Sequence, residues 1–248
     1  MILTVENLSV DFATGGGLLH AVRDVSFTLD AGEVVGIVGE SGSGKSVTAQ
    51  SILRIIPANG RIAAGDIRFR DRSVLALDGE ELRRFRGREV AMIFQEPGRS
   101  FDPIYSIGKS LAETIRAHQP DLGEDEIRER SIRLLEEVHV TNPERRLENF
   151  PHQFSGGLLQ RIMIAHALAS DPTVLIADEP TTALDVTIQA GIVDLLLELR
   201  RRRNVAILFI THNLALISSF ADRLVVMYGG LVMEEGRTVD VLRSPRHP

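Results

Sequence analysis

Gly39 to Ser46 read GESGSGKS, directly after the apolar run Val34, Val35, Gly36, Ile37, Val38 and before a helix-forming stretch that ends near Ile56. Strand, glycine-rich loop and helix in that order match the phosphate-binding pattern GxxxxGK[ST] in the context it requires. Gly39, Gly42 and Gly44 allow backbone angles that a side chain forbids. Successive N–H groups of Gly39, Glu40, Ser41, Gly42, Ser43, Gly44, Lys45, Ser46 and Val47 can therefore turn toward phosphate oxygens, and the helix adds its positive end. Lys45 reaches the β- and γ-phosphates as a point charge, and the Ser46 hydroxyl suits the Mg²⁺ that travels with a nucleotide. The plainer reading, a glycine turn between strand and helix, is disfavoured by the completeness of the motif and of both flanks.

A chain of 248 residues holds one α/β domain or two small ones and can bury a proper core. Its net charge of −6 argues against a general affinity for nucleic acid, which needs a basic surface to displace counterions. Lys45 and Lys109 are the only lysines, so the compact ammonium is kept where a phosphate wants it. With no cysteine, disulfides, thiolate metal sites and cysteine nucleophiles are excluded, which fits a reducing compartment. The N-terminus MILTVENLSVDF alternates like a strand, so no signal peptide is expected, and no stretch approaches bilayer length. A role at a membrane would need another chain to hold the protein there.

Strands are expected at Ile2 to Val5, Leu8 to Phe12, Ala21 to Leu29 and Val34 to Val38. Phe12 precedes the glycine turn Gly15, Gly16, Gly17; it either stacks on an adenine ring or is a core phenylalanine at a strand end. Gly60 and Gly65 bracket a hairpin with Ile67 and Phe69, and Val90 to Phe94 reads as a buried strand. Gln95 follows it, placed to reach Mg²⁺ or an attacking water, or merely to cap a turn. From Ile107 to about Ala169 the pattern is helical, so 96–169 reads as a helical insertion in an α/β core formed by 1–95 and 170–248.

Val174 to Ala177 is a buried strand ending in Asp178 and Glu179. In a phosphate-loop protein the first such acid supports Mg²⁺ and the second orients and polarises water. Val186 to Arg203 is a long helix whose final four arginines read as a solvated end complementing the dipole, ahead of a nucleic-acid or lipid patch. Val205 to Ile210 is a core strand with Thr211 and His212 at its edge, where ligands of parallel sheets bind. Arg223 to Tyr228 and Leu231 to Glu235 close the chain as strands joined through Gly229 and Gly230.

GESGSGKS, Gln95, FSGGLLQR at Phe154 to Arg161, VLIADEP at Val174 to Pro180 and His212 stand in an order that strongly resembles the ATP-binding subunit of an ABC transporter, over essentially the whole chain. TTALD at Thr181 to Asp185 looks like the family's D-loop. The resemblance implies a single P-loop α/β ATPase domain with an N-terminal antiparallel β subdomain and the inserted helical subdomain. It implies that Ser155, Gly156, Gly157 and Asp185 contact ATP held by a partner subunit, that Ser46, Gln95 and Asp178 serve Mg²⁺, that Glu179 is the catalytic carboxylate, and that His212 contacts the γ-phosphate. Within it Phe12 is the adenine-stacking candidate. Phe154 and Leu158 depart from the commonest signature LSGGQ; hydroxyl, N–H groups and helix dipole remain, and only a polar contact from position 158 is put in doubt.

FQEPGRSFDPIYSIGKSLAE, FPHQFSGG, IADEPTTALDV and SPRHP look like the ATPases of dipeptide, oligopeptide and nickel importers. In larger members a C-terminal extension starts about where this sequence stops, so the chain is of the short nickel-importer type or is part of a longer one. The implied partners are a second ATPase subunit, membrane permeases and, indirectly, a substrate-binding protein, at the cytoplasmic face of the membrane and without nucleic acid. Two rivals differ in class. An ABC-type ATPase of ribosomes or DNA usually carries two cassettes or long coiled-coil insertions, and a phosphate-loop kinase has no use for the SGG segment.

Overall fold

The computed structural model describes residues 1–182 and 184–247, so Ala183 of the TTALD stretch and Pro248 of the terminal SPRHP lie outside the described residues. The chain divides into two compact units, Met1–Leu82 with the segment from Asn204 on, and Arg83–Arg203.

In the first unit, Val34–Val38 is buried at all five positions, as expected of a strand covered on both faces. It pairs in parallel with Ala206–Thr211, Val38 abreast of Thr211, and in parallel with Arg223–Tyr228 on its other side. Leu231–Arg237 adds an antiparallel edge to Arg223–Tyr228. A second, antiparallel sheet runs in the order Gly17–Leu29, Leu3–Thr14, Gly60–Phe69, Arg72–Ser73. The α/β class with an antiparallel N-terminal sheet is therefore the observed one.

Three local expectations change. The strands read as Ile2 to Val5 and Leu8 to Phe12 are one strand, Leu3–Thr14, bulged between Val5 and Leu8. Asn7 sits there at φ 50, its N–H donating to Ser26 Oγ at 2.8 Å and its amide to Asp24 Oδ1 at 2.7 Å, so side-chain bonds hold the extra residue. Gly65 does not bracket a hairpin; it lies inside Gly60–Phe69, which pairs with Leu3–Thr14. The helix after the phosphate loop, Lys45–Ile52, stops before Ile56 because Arg54 turns left-handed at φ 54 and its guanidinium donates to the carbonyls of Val74 and Leu77.

In the second unit Val90–Ile93 runs parallel to Val174–Asp178, with Ile93 abreast of Ala177. Four longer helices follow the sequence pattern: Ile107–His118, Glu124–Glu137, Gly156–Leu168 and Val186–Arg203. Ile107, Leu111 and Ile115 recur every four residues and are all buried, and Ser106 caps their helix by accepting from Lys109 N–H. The arginine run is only partly a solvated end. Arg202 pairs with Glu198 at 2.7 Å, whereas the half-buried Arg203 bonds Glu137 and Asp171, and Arg130 also meets Asp171. Acids brought in from elsewhere in the unit account for the difference; the four residues alone carry no sign of them. Among the described residues no helix is long and apolar enough to cross a membrane.

Candidate active site

The phosphate loop belongs to the first unit. Gly39 runs so close to Met227 that a Cβ would collide with its carbonyl oxygen. Gly44 sits at φ 96, where a side chain is strained, and a Cβ there would come within 2.6 Å of Ala21 O. These two glycines let the loop pass between neighbouring backbones and enter the helix Lys45–Ile52, whose first turn has neither a side-chain cap nor an acid. Such a helix start favours an anion. Lys45 is 4% exposed, and its ammonium donates to Gly39 O and Glu40 O, both at 2.8 Å. A buried ammonium needs such acceptors, because an unpaired one costs several kcal/mol. Ser43 Oγ is buried and without a hydrogen-bond partner. An unpaired hydroxyl inside a glycine cradle, beside a lysine and a helix start, fits a phosphate ligand.

His212 is exposed just past Thr211, the residue level with the end of the loop strand. The turn that presents it is fixed on both sides. Asn213 N–H donates to Thr211 Oγ1 at 3.0 Å, and Asn213 Oδ1 caps the helix Leu214–Ile217. Phe12 is half-buried and lies between Leu19 and Gly60 on the antiparallel sheet, where a Cβ on Gly60 would strike its ring. A bare glycine partner keeps one ring face close to backbone.

Gln95, Asp178 and Glu179 belong to the second unit. Val174–Asp178 is buried throughout, and Asp178 at its end is 5% exposed. Glu179 then turns left-handed at φ 46, an uncommon conformation for a residue with a side chain. Because Ile93 is level with Ala177, Gln95 emerges beside Glu179 and its amide Nε2 donates to Oε2 at 3.2 Å. A second donor was not anticipated: Thr182 Oγ1 reaches the same oxygen at 2.8 Å. A hydroxyl three residues after a strand-end acid, within turn reach, is the signal in the sequence.

Ser155 starts the helix Gly156–Leu168 with its side chain making no cap bond, and Ser155 and Gly156 are both exposed while Gly157 is buried. Arg146 lies over the Phe154 ring at 5.5 Å, so the aromatic departure from the common signature has a packing partner. Further along this helix His166 is half-buried, its Nε2 at 3.1 Å from Ser110 Oγ and 2.9 Å from Thr114 Oγ1. Burial pushes its pKa below the ordinary value, against a smaller opposing effect of a hydrogen bond with the Ser110 backbone. Asp185 Oδ1 accepts from Ile188 N–H at 2.9 Å, so it caps the helix Val186–Arg203 in its own chain.

Among the described residues no three acidic or histidine side chains cluster to hold a metal. Mg²⁺ held through a hydroxyl, a carboxylate and substrate phosphates needs no such cluster, and the buried Asp178 at a strand end suits that mode.

The ABC transporter family pattern matches residues 22–182. The oligopeptide transport ATP-binding protein OppD of Bacillus subtilis is 45% identical over 248 residues, covering 100% of this chain and 69% of its own. The dipeptide transport ATP-binding protein DppD of Escherichia coli is 47% identical over 247 residues, covering 100% of this chain and 75% of its own. An ATP-binding cassette solved as a dimer in a post-hydrolysis state with ADP and phosphate superposes with TM-score 0.84 at 26% identity, covering 95% of this chain and 98% of that one. The Clostridium perfringens cassette cbiO1, part of the ABC transporter complex cbiONQ, gives 0.82 at 28% identity, covering 98% of this chain and 91% of that one. The family match runs from Val22, ahead of the phosphate loop, to Thr182 in the turn that holds Glu179, and on these findings the chain belongs to the ABC transporter family.

Proposed function

We propose that this chain is the ATP-hydrolysing subunit of an importer, peripheral on the cytoplasmic face of the membrane, and that its cargo is a small peptide. The oligopeptide and dipeptide transport relatives favour peptide over the chelated nickel also expected from the sequence, and transport over a ribosomal or nucleic-acid role. The observation that carries the hydrolytic reading is the carboxylate of Glu179, held at a strand end with the amide of Gln95 on it. An acid fixed in that way can orient and polarise a water.

In this reading the amides of Gly39 to Val47 and the Lys45 ammonium bind the phosphates, the ammonium exchanging its carbonyl acceptors for phosphate oxygens. Ser46, Gln95 and Asp178 would hold Mg²⁺, which when bound neutralises charge on the β- and γ-phosphate oxygens. Glu179 takes the proton of the attacking water, His212 meets the γ-phosphate, and Phe12 stacks on the adenine. Ser155, Gly156, Gly157 and Asp185 act on ATP held by a second ATPase subunit. The helical subdomain, 96–169, carries the ATP state to the permeases, which a substrate-binding protein supplies in turn.

Pull-down from a detergent extract tests the assignment. The chain is expected to bring hydrophobic permease subunits with it, and a version lacking Ile107 to Val140 that still binds ATP is expected to lose them. Recovery of ribosomal or nucleic-acid components in their place would overturn the transport reading.

A further inference from the structure

The turn after Glu179 is fixed more heavily than a loop between strand and helix requires. Thr182 N–H donates to Glu179 O at 3.1 Å and Thr182 Oγ1 donates to Glu179 Oε2 at 2.8 Å, so one residue holds both the backbone and the side chain of the acid. From the following helix, Gln189 Nε2 donates to Thr181 O at 3.0 Å, and Leu184 N–H bonds the same carbonyl at 3.3 Å. This bracing matches the backbone it supports. A left-handed glutamate persists only where its surroundings over-determine it.

The direction of the carboxylate follows from its donors. The Gln95 amide comes from the neighbouring strand and the Thr182 hydroxyl from the turn itself, and both address Oε2. Two donors from different elements on one oxygen fix the carboxylate plane as a single donor cannot. Of the two, Thr182 is the closer and, if Gln95 swings to serve a nucleotide, the one that stays. We propose that Thr182 is a positioning residue for ATP hydrolysis, acting through Glu179 by holding its carboxylate in the orientation that activates water.

This rests on Glu179 being the water-activating carboxylate, and the test separates the two claims. ATP hydrolysis by the full chain is measured for Thr182→Val, Thr182→Ser, Glu179→Gln and the double variant Glu179→Gln with Thr182→Val, with thermal unfolding and ATP binding as controls for folding. Valine keeps the branched shape and removes the donor. Turnover is expected to fall about tenfold, the size of one hydrogen bond to a charged group. KM for ATP is expected to stay within about twofold, because the lost interaction serves the reaction and not the binding of substrate. Serine, which restores the hydroxyl, is expected to bring turnover back to within about twofold of the parent. In the Glu179→Gln background the valine change should add no further loss, since the group it positions is already gone.

Parental turnover of Thr182→Val, an equal loss in Thr182→Ser, or an undiminished extra loss in the double variant overturns the role of Thr182. Parental turnover of Glu179→Gln overturns the reading of Glu179 and this role with it. A Thr182→Val protein that has lost ATP binding or its folded stability has lost a merely structural contact, and that outcome also counts against the proposal.

Discussion

Two helices of this chain begin in the same chemical way and in opposite surroundings. Lys45–Ile52 and Gly156–Leu168 both start without a side-chain cap bond and without an acid in the first turn, so each offers an anion its positive end. The first start is closed in. Ser43 is 3% and Lys45 4% exposed, and the lysine folds back onto the loop carbonyls. The second is open, with Ser155 and Gly156 at the surface. A start that is buried and lined by its own cation belongs to a site this chain makes for itself. An exposed start with a serine and a glycine suits a ligand that arrives on another molecule. Binding of ATP and turnover of ATP should therefore be separable by mutation, the first governed by the closed end and the second needing both.

The strongest test leaves both ends intact. Glu179→Gln keeps the shape of the side chain and removes its charge, so hydrolysis should fall by about 10²- to 10⁴-fold, the usual contribution of a positioned acid or base. With both helix starts still able to hold ATP, a closed pair should then accumulate. Size-exclusion chromatography is expected to show a dimer with Mg²⁺ and ATP and a monomer with ADP. A variant that stays monomeric with ATP, at concentrations where it is saturated, would show that the open end does not seek a second copy of this chain.

Lys45→Ala attacks the closed end. The loop loses its side-chain cation, and ATP affinity should fall about 100-fold, as for losing a strong charge-assisted contact. Titration with a fluorescent ATP analogue measures it, and affinity within twofold of the parent would remove the distinction between the ends. Gly156→Asp attacks the open one. Among the described residues a Cβ there meets only Leu184, at 3.5 Å, ordinary contact distance, so the fold should tolerate it. The added carboxylate opposes a phosphate by like charge. ATP binding by the isolated chain should be unchanged, while turnover falls about tenfold, in the range of a like-charge contact near a helix start.

Why some of this was legible is itself a matter of range. Val34–Val38 and Val174–Asp178 announce themselves because a strand buried on both faces must be apolar throughout, and the glycines after one and the acids after the other mark where chemistry begins. The long helix Val186–Arg203 was readable end to end from its pattern. The bulge at Asn7 was not, because it depends on Asp24 and Ser26, 17 and 19 residues away, meeting it across the sheet. Arg203 looked like a solvated end until Glu137, at the end of Glu124–Glu137, and Asp171, in the connection after Gly156–Leu168, came to it. In the candidate site the residue types at the loop and at Asp178 and Glu179 could be named from the chain alone. The spacing of Thr182 from Glu179 allows their bond without requiring it, and the lysine folded over its own loop is a property of the turn's geometry.

The smallest predicted effect concerns the interior behind the open end. His166, on the helix that starts at Ser155, packs half-buried against Ser110 and Thr114, with the Phe101 ring edge-on at 5.7 Å. Burial lowers its pKa, so between that value and its ordinary one of about 6.5 the unfolded chain binds a proton that the folded chain refuses. The sign follows: the stability contributed by neutral His166 is fully present above about pH 6.5 and is lost as pH falls toward the folded value. While one such proton is at stake the slope is about 1.4 kcal/mol per pH unit, roughly 3 °C in melting temperature for a chain of this size. His166→Gln keeps an amide for the two hydroxyls and cannot titrate. Loss of the Phe101 contact lowers its melting temperature at every pH, so the slope between pH 7.5 and 5.5, and not the value at one pH, is the quantity to compare. A shallower slope in the variant places the proton at His166. Equal slopes would mean that acid acts on the fold elsewhere than at His166.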